Sequence, residues 1–165
     1  IGYALPPVND NDHFCALKLE KYITHIEGDL LDSDLLKRTF DKHQPEIVFH
    51  LAAQALVRFS YEEPHLTFQT NVLGSVNLLE AVKTCASVKS VIYVTSDKAY
   101  KNKEWVWGYR ENDELGGHDP YSASKAAAEL VFSSYLDSFF SKSDYIGLAS
   151  VRAGNVIGGG DWAKD

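Results

Sequence analysis

Short apolar runs alternate with amphipathic stretches along most of the chain, and this alternation predicts strands separated by helices. The predicted strands are residues 1–4, 22–27, 46–51, 90–95 and 146–151. The run 46–51 is almost continuously apolar, which is typical of a parallel strand covered on both faces. Strands that alternate with crossover helices predict an α/β fold with a doubly wound parallel sheet.

Three of the amphipathic stretches carry apolar residues at helical spacing. The first, over 34–42, follows Ser33 as its predicted N-cap, and the second covers about 66–85. The third begins at Asp119-Pro120, a typical pair of N-cap and first helical residue, and covers about 120–140. Each helix has the length expected of a crossover between parallel strands.

Polar residues stand at four of the predicted strand ends, namely 28–29, 50–54, 95–98 and 152–155. Ligands of open α/β sheets bind beyond the carboxyl ends of the strands, so these four segments should converge on one crevice. A polar loop is predicted from Asp97 to Asp119, and a loop of that length is usually functional.

The composition fits one soluble globular domain, because 45% of the 165 residues are apolar and 24% are charged. The net charge of −7 and the scattered positions of the 16 Lys and Arg residues argue against a nucleic-acid partner. No apolar run is long enough to span a bilayer. Cys15 and Cys85 lie far apart and outside any Cys/His cluster, so we expect no metal site and a reducing, cytoplasmic setting.

Tyr121 and Lys125 stand four residues apart and therefore share one face of the third helix. An ammonium beside a phenol stabilises the phenolate and lowers the pKa of the phenol from about 10, which makes it a general base for an alcohol. Such a pair also arises readily by chance on a helix surface. The hydroxyl of Ser96, at the end of a predicted buried strand, favours the catalytic interpretation because it can hold the substrate oxygen.

These residues resemble the catalytic set of the extended short-chain dehydrogenase/reductase family, in which a Ser or Thr accompanies Tyr-x-x-x-Lys. Tyr121-Ser-Ala-Ser-Lys125 matches the family motif, His50-Leu-Ala-Ala53 resembles the segment under the cofactor diphosphate, and Gly28-Asp29-Leu30 resembles the segment that meets the adenine. The resemblance implies a Rossmann-like fold and NAD as cofactor, although no acidic residue follows the second strand of that fold to mark NAD. It implies these cofactor-binding residues: Asp29, Leu30, Leu51, Ala52, Ala53, Gln54, Asn71, Thr95, Tyr121, Lys125, Ala153 and Gly154.

Two further features resemble the nucleotide-sugar 4,6-dehydratases of this family. Asp97-Lys98 follows Ser96 at the position where these enzymes carry an acid and a base, and segments 105–111 and 151–162 resemble the branch that acts on CDP-glucose. The implied activity converts CDP-glucose to its 4-keto-6-deoxy product, as in deoxysugar biosynthesis for the O-antigen of lipopolysaccharide. A nucleotide-sugar 4-epimerase and a non-catalytic NAD-sensing module remain alternatives.

The resemblance also implies a catalytic role for five residues. Tyr121 takes the proton of the sugar 4-hydroxyl while hydride passes to NAD, and Lys125 holds the ribose beside it. The resulting ketone acidifies the hydrogen at C5, so that Lys98 in its neutral form removes it while protonated Asp97 protonates the leaving 6-hydroxyl. A structural ion pair or solvated loop charges are the alternatives for Asp97 and Lys98.

Four residues are candidates for substrate binding, each with a plainer alternative. Arg58 and Arg152 can pair with the substrate diphosphate or form an ordinary ion pair. Trp107 is a wall of the sugar pocket or part of loop packing, whereas Asn155 precedes a glycine loop and is expected to contact phosphates. His50 is expected to be a buried, hydrogen-bonded strand residue rather than a base.

No G-x-G-x-x-G motif occurs in the sequence, although this fingerprint follows the first strand of dinucleotide-binding domains. We therefore expect residues 1–165 to be a partial NAD-binding catalytic domain that lacks the first strand, the glycine loop and most of the C-terminal lobe. Strands 1–4 and 22–27 should then lack a partner that joins them to strand 46–51, and the isolated chain should not bind NAD tightly by calorimetry. A homodimer is expected through helices 66–85 and 120–140, with Val76, Leu79, Phe132 and Leu136 as seam or core residues.

Overall fold

The computed structural model describes residues 1–142 and 145–158, and within these ranges strands and helices alternate along the chain. The elements are β1 (Gly2–Ala4), α1 (His13–Ala16), β2 (His25–Glu27), α2 (Ser33–His43), β3 (Ile47–His50), α3 (Val57–Glu62), α4 (Pro64–Phe68), α5 (Gly74–Thr84), β4 (Ser90–Ser96), α6 (Pro120–Tyr135) and β5 (Gly147–Ala153). A π-helical segment, Gln69–Leu73, joins α4 to α5, and a second one, Leu136–Phe140, extends α6. Short 3₁₀ turns cover Leu19–Lys21 and Asp97–Ala99.

The strands form two separate parallel sheets in the described part of the chain. One sheet pairs β1 with β2, and the other has the order β3-β4-β5. The prediction of an α/β fold with parallel strands is confirmed. The expected break between the first two strands and the strand at 46–51 is also confirmed, because no ladder joins β1 or β2 to β3 within the described residues.

The main core lies where α2 and α5 pack against each other and against β4. Leu36 and Phe40 of α2 meet Leu79 and Val82 of α5, and Val91 of β4 completes the cluster. Full burial of such side chains contributes about 1.5–3 kcal/mol each relative to exposure. Tyr93, Ala128 and Phe132 form a second cluster that fixes α6 on the sheet.

A cavity of about 340 Å³ separates the two sheets and is lined by β1, α2 and β3. Ile47 and Phe49 face this side of β3 and are 59% and 64% exposed. The prediction that strand 46–51 is covered on both faces is therefore wrong for one face. No described element packs on that face of β3.

The helices match their predicted positions with three differences. The N-cap of α2 is Asp32, whose side chain accepts from the Leu35 N–H, and not Ser33. The helix predicted over 66–85 begins earlier, at Pro64, and contains the π-helical segment. Helices α1 and α3 had no prediction. The predicted cap of α6 is confirmed, since the Asp119 side chain accepts from the Ser122 N–H.

None of the helices in the described ranges is long and apolar enough to cross a membrane.

Candidate active site

The carboxyl ends of β4 and β5 lie side by side, with Ser96 opposite Ala153 in the strand register. The 3₁₀ turn Asp97–Ala99 continues directly from Ser96, and helix α6 packs against this turn. The first two turns of α6 carry Tyr121 and Lys125. The fold thus brings Ser96, Asp97, Tyr121 and Lys125 to one end of the three-stranded sheet.

Hydrogen bonds at both backbone groups of Tyr121 fix its position in the first turn of α6. Its N–H donates to the Ser60 hydroxyl at 3.2 Å, and its carbonyl accepts from the Ser124 hydroxyl at 2.7 Å. Ser60 is completely buried and also donates to the Val57 carbonyl. Ser60 could not be predicted from the sequence, because a contact that spans 61 residues leaves no periodic signal in the chain.

Gly117 allows the loop to approach this first turn. A Cβ at Gly117 would overlap the Ser122 side chain and the backbone of residues 122–123. Only glycine therefore fits here without displacing the turn that carries Tyr121.

Lys125 is buried at 7% exposure, and its Nζ lies 5.9 Å from the centre of the Tyr121 ring. Burial lowers the pKa of Lys125 from 10.5 to about 8, and the negative charge of Glu129 acts in the opposite direction. At neutral pH the Lys125 side chain therefore remains largely protonated, and its positive charge can stabilise a neighbouring phenolate.

Ser96 is buried, and its hydroxyl forms hydrogen bonds with the next two residues of the turn. Its hydroxyl donates to Asp97 Oδ1 at 3.2 Å and accepts from the Lys98 N–H at 3.2 Å. Asp97 and Lys98 are exposed, and neither takes part in an ion pair among the residues the structure describes. The structural ion pair considered for these two residues is therefore not formed.

A polar cavity of about 420 Å³ opens next to the turn. Its lining residues are Asp97, Lys98, Tyr100, Asn102, Tyr109, Gly116, Gly117, His118, Asp119 and Ser122. Tyr100 and Tyr109 stack with their ring centres 5.1 Å apart, and Trp105 packs on Tyr109 at 5.6 Å. Trp107 is 73% exposed and is not one of the lining residues.

The predicted cofactor residues fall into two groups. Leu51, Ala52, Ala153 and Gly154 lie at the strand ends of the larger sheet, and Leu51 is 71% exposed. The side chains of the second group make contacts within the fold. Thr95 donates a hydrogen bond to Glu129, and the side chain of Leu30 packs in the core.

Asn71 and Gln54 brace the site from inside. The Asn71 amide donates to the Gln54 carbonyl and the Ser124 hydroxyl, and its oxygen accepts from the Gln54 N–H at 2.8 Å. The Gln54 side chain donates to Thr67 and exchanges hydrogen bonds with Leu56. These bonds connect the end of β3 to the helix that carries Tyr121 and Lys125.

The remaining predicted residues differ in their surroundings. Asp29 follows β2 in the smaller sheet, where its side chain accepts from the Leu31 N–H. Ala53 is half-buried, and Arg58 and Asn155 are exposed. The Arg152 guanidinium is bonded to Glu129 and to the Glu111 carbonyl, which favours the ion-pair alternative for this residue. In the segment 151–162 that resembles the CDP-glucose branch, residues 159–162 lie outside the described residues.

Two histidines near the site differ in environment. His50 is buried against Tyr93, and burial lowers its pKa from 6.5 to about 4, so it is neutral at physiological pH. His118 is exposed on the wall of the polar cavity. Among the described residues, no group of three His, Cys, Asp or Glu side chains is arranged to hold a metal ion.

Comparison with known proteins identifies the family of this chain. Residues 8–142 match the family model described as GDP-mannose 4,6 dehydratase. The chain belongs to this family. Its relatives include nucleotide-sugar dehydratases and epimerases, so the resemblance stated from the sequence motifs is confirmed.

Individual relatives cover most of this chain but only part of their own length. A CDP-glucose 4,6-dehydratase of Salmonella typhimurium is 54% identical over 99% of this chain and 47% of its own length. A dTDP-D-glucose 4,6-dehydratase of Dictyostelium discoideum is 34% identical over 91% and 35%, respectively. The structure of UDP-glucose 4-epimerase from Thermus thermophilus in complex with NAD matches with a TM-score of 0.68 and 31% identity over 80% of this chain and 41% of that one. The chain thus spans less than half the length of these relatives.

Proposed function

We propose that the complete polypeptide carrying this chain converts CDP-D-glucose to CDP-4-keto-6-deoxy-D-glucose, with bound NAD recycled in each turnover. The observation that carries this proposal is the hydrogen bond from Ser96 to Asp97 at the end of β4, beside the helix that bears Tyr121 and Lys125. It places a carboxyl group next to the Ser–Tyr–Lys set, where elimination of water needs an acid. The 54% identity to a CDP-glucose 4,6-dehydratase supports the choice of sugar nucleotide.

The residues present fit NAD. Lys125 is a buried cation that forms no ion pair among the described residues, so its ammonium is suited to the hydroxyls of a ribose. The exposed backbone after β3, at Leu51 and Ala52, is accessible to the cofactor phosphates. When bound, NAD supplies a hydride acceptor at C4 of the sugar and later the hydride for C6.

The first step oxidises the sugar at C4. The Tyr121 phenolate takes the proton of the 4-hydroxyl, and the Lys125 charge stabilises the phenolate. The Ser96 hydroxyl turns from Asp97 to donate to the same substrate oxygen. The fixed backbone of Tyr121 keeps the phenol in place for this transfer.

The second step removes water. The 4-ketone acidifies the hydrogen at C5, Lys98 in its neutral form takes this proton, and Asp97 in its protonated form gives a proton to the leaving 6-hydroxyl. Both side chains are exposed and line the polar cavity, so a hexose bound there would displace water from them.

Incubation of the complete polypeptide with CDP-glucose tests this function. A 4-keto-6-deoxy product that has lost one water, identified by mass spectrometry and NMR, is the expected result. Recovery of a C4 epimer alone would assign the protein to the epimerases, which are also among its relatives. Binding of NAD without turnover of any nucleotide sugar would favour a non-catalytic module.

Asp97→Asn separates the two steps. We expect water elimination to fall by at least about 100-fold, because general acid catalysis contributes roughly 10²–10⁴ to a rate, while C4 oxidation persists. Rapid-quench analysis of the sugar measures both. Asp137→Asn, at an exposed position in the π-helical extension of α6, is the matched control. Unchanged elimination in Asp97→Asn would remove Asp97 from this role.

We also propose an oligomeric state and a cellular location for the complete polypeptide. A homodimer would use α4, α5 and α6, which carry or adjoin the exposed side chains of Leu66, Leu73, Leu130 and Phe139. Leu79 and Phe132 are core residues and do not belong to such a seam. The product class suits deoxysugar biosynthesis in the cytoplasm, such as that of the O-antigen of lipopolysaccharide.

A further inference from the structure

Glu129 is a buried carboxylate that takes no part in the steps above. It is 1% exposed and lies on α6 four residues after Lys125, so the two side chains share one helix face. An ionised group with so little solvent contact is costly unless it is paired and fully hydrogen-bonded.

Four hydrogen bonds from two strands hold the Glu129 carboxylate. Arg152 on β5 donates from Nε to Oε1 at 3.0 Å and from Nη2 to Oε2 at 3.1 Å. Ser150 on β5 donates to Oε2 at 3.1 Å, and Thr95 on β4 donates to Oε1. Burial acts to raise the pKa of Glu129, but these hydrogen bonds and the Arg152 charge outweigh it and hold the pKa below 4.5.

The donors stand next to the residues that form the site. Thr95 directly precedes Ser96, and Arg152 directly precedes Ala153, the register partner of Ser96. Glu129 therefore fastens the helix of Tyr121 and Lys125 to both strand ends at once.

Arg152 extends the connection to the loop that walls the polar cavity. Its Nη1 donates to the Glu111 carbonyl at 2.9 Å, and its guanidinium lies 4.7 Å from the centre of the Tyr100 ring. Tyr100 stacks on Tyr109, and both line the cavity.

Glu129 also dominates the charge around Lys125 at neutral pH. His50 on β3 and Tyr93 on β4 lie on this side of α6 and are uncharged, since their pKa values are about 4 and about 12. Tyr121 is the aromatic neighbour on α6, and Asp97 and Lys98 on the adjacent turn are exposed to water, which screens their charges. Arg152 is paired with Glu129, which reduces the effect of the carboxylate on Lys125 without removing it.

We propose that Glu129, clamped by Arg152, is a positioning residue that keeps Lys125 protonated and aligned with Ser96. This inference rests on the proposed function for its kinetic readout but not for the folding readout given below. The carboxylate touches neither substrate nor cofactor in this role and acts through Lys125.

The test is the pH profile of kcat in the complete polypeptide for the wild type, Glu129→Gln and Arg152→Gln. The wild-type rate should fall above about pH 8 as Lys125 loses its proton. In Glu129→Gln this alkaline limb of the pH profile should move to lower pH by about one unit. The expected result is a roughly five-fold loss of kcat at pH 8 with little loss at pH 6. In Arg152→Gln the buried Glu129 carboxyl loses the partner that holds its pKa low, so it is protonated more readily and the limb should also move to lower pH.

Loosened packing would lower kcat at every pH and leave the limb in place, whereas loss of the Glu129 charge moves the limb. A folded Glu129→Gln variant with the wild-type limb would overturn the proposal. Glu129→Asp keeps the charge and should keep the limb while kcat falls. If Glu129→Gln does not fold, Glu129→Gln combined with Arg152→Met carries the same prediction, because buried ion pairs are often replaced together without loss of stability.

Unfolding by urea gives a readout that needs no turnover. The free energy of unfolding of each protein is compared with that of the same protein carrying Lys125→Met. This relative stability should begin to rise near pH 8 for the wild type and about one pH unit lower for Glu129→Gln. An identical onset in the two proteins would contradict the inference. If the wild type turns over no nucleotide sugar but the two onsets still differ in this way, only the proposed function is contradicted.

Discussion

At the scale of single residues, the site contains a group whose burial opposes folding. The pKa of Lys125 falls from 10.5 to about 8 because burial disfavours its charge. A shift of this size corresponds to about 3 kcal/mol of folding free energy lost while the group is charged. Such a cost at a residue beside Tyr121 is typical of a functional site, where stability is given up for activity.

Lys125→Met should therefore stabilise the protein and inactivate it. We expect the free energy of unfolding at pH 7 to rise by about 2–3 kcal/mol, since the uncharged side chain carries no desolvation cost, while turnover is lost. The unfolded state of the wild type binds more protons than the folded state between pH 8 and 10.5, so the stability difference from Lys125→Met should shrink across this range. Urea denaturation measures both values.

The control for this substitution is Lys98→Met at an exposed position of the neighbouring turn. It should change the free energy of unfolding by less than about 0.5 kcal/mol. A Lys125→Met protein less stable than the wild type at pH 7 would show that the ammonium makes compensating bonds.

His50 makes stability depend on pH in the same direction as Lys125, but in the acid range. Its pKa falls from 6.5 to about 4 through burial, with a smaller contribution from the Lys125 charge. Between pH 6.5 and 4 the unfolded state takes up a proton that the folded state does not, so the protein should lose about 3 kcal/mol on acidification through this range. His50→Phe should flatten that loss in urea titrations, whereas His65→Gln, at an exposed position, should leave it unchanged.

The sequence predicts the residues whose chemistry is encoded locally. Tyr121 and Lys125 share a helix face by spacing alone, and Ser96 ends an apolar run, so their meeting follows from the strand-and-helix pattern. Ser60 and Glu129 were not predicted, because the first reaches Tyr121 across 61 residues and the second reaches Arg152 across 23. Contacts at such distances depend on the folded geometry and leave no periodicity in the chain.

At the scale of elements, two long helices contain π-helical segments at positions that matter for the site. Residue Asn71 lies within the first, Gln69–Leu73, and from there its amide reaches both Gln54 and Ser124. π-helical segments occur frequently at functional sites. Apolar spacing predicted one regular helix over 66–85, since the pattern of hydrophobic positions does not reveal an inserted residue.

The N-terminus of α6 is held by Asp119, whose two oxygens accept from the Ser122 N–H and the Ser122 hydroxyl. Asp119→Ala should lower the free energy of unfolding by about 1 kcal/mol, the usual cost of a lost N-cap. It should also lower kcat, because Tyr121 lies in the same turn. Chemical denaturation and steady-state rates measure the two effects.

Asp119→Ser restores a capping oxygen and should recover most of both losses. Asp137→Ala removes an exposed carboxylate from the other end of the same helix and should be neutral. Full activity in Asp119→Ala would show that the turn holds Tyr121 without its cap.

At the scale of the whole molecule, the two sheets differ in how well their strands are supported. Strand β4 has seven residues and a partner on each side, with Val91 and Tyr93 almost completely buried. Strands β1 and β2 have three residues each and only one another as partners in the described residues. Isolated two-stranded ribbons are marginal in water, so the smaller sheet depends on Tyr3, which packs against the core cluster that α2 and α5 form.

Hydrogen exchange of the chain should reveal this difference. Amides of β4 should be protected about 100-fold more than those of β1 and β2, because local opening of the smaller sheet needs less free energy than global unfolding. Amides of α2 should be intermediate. Equal protection in both sheets, measured by NMR or mass spectrometry, would mean that they open as one cooperative unit.

The cavity between β1 and β3 leaves two strand edges facing an open space, and neither edge has a strand partner within the described residues. On the β3 side, Ile47, Phe49 and Leu51 are all more than half exposed. An edge with unpaired N–H and C=O groups beside apolar side chains is a template for a strand of another molecule. For the isolated chain we therefore expect intermolecular strand pairing at this edge to limit solubility at high concentration, despite the net charge of −7.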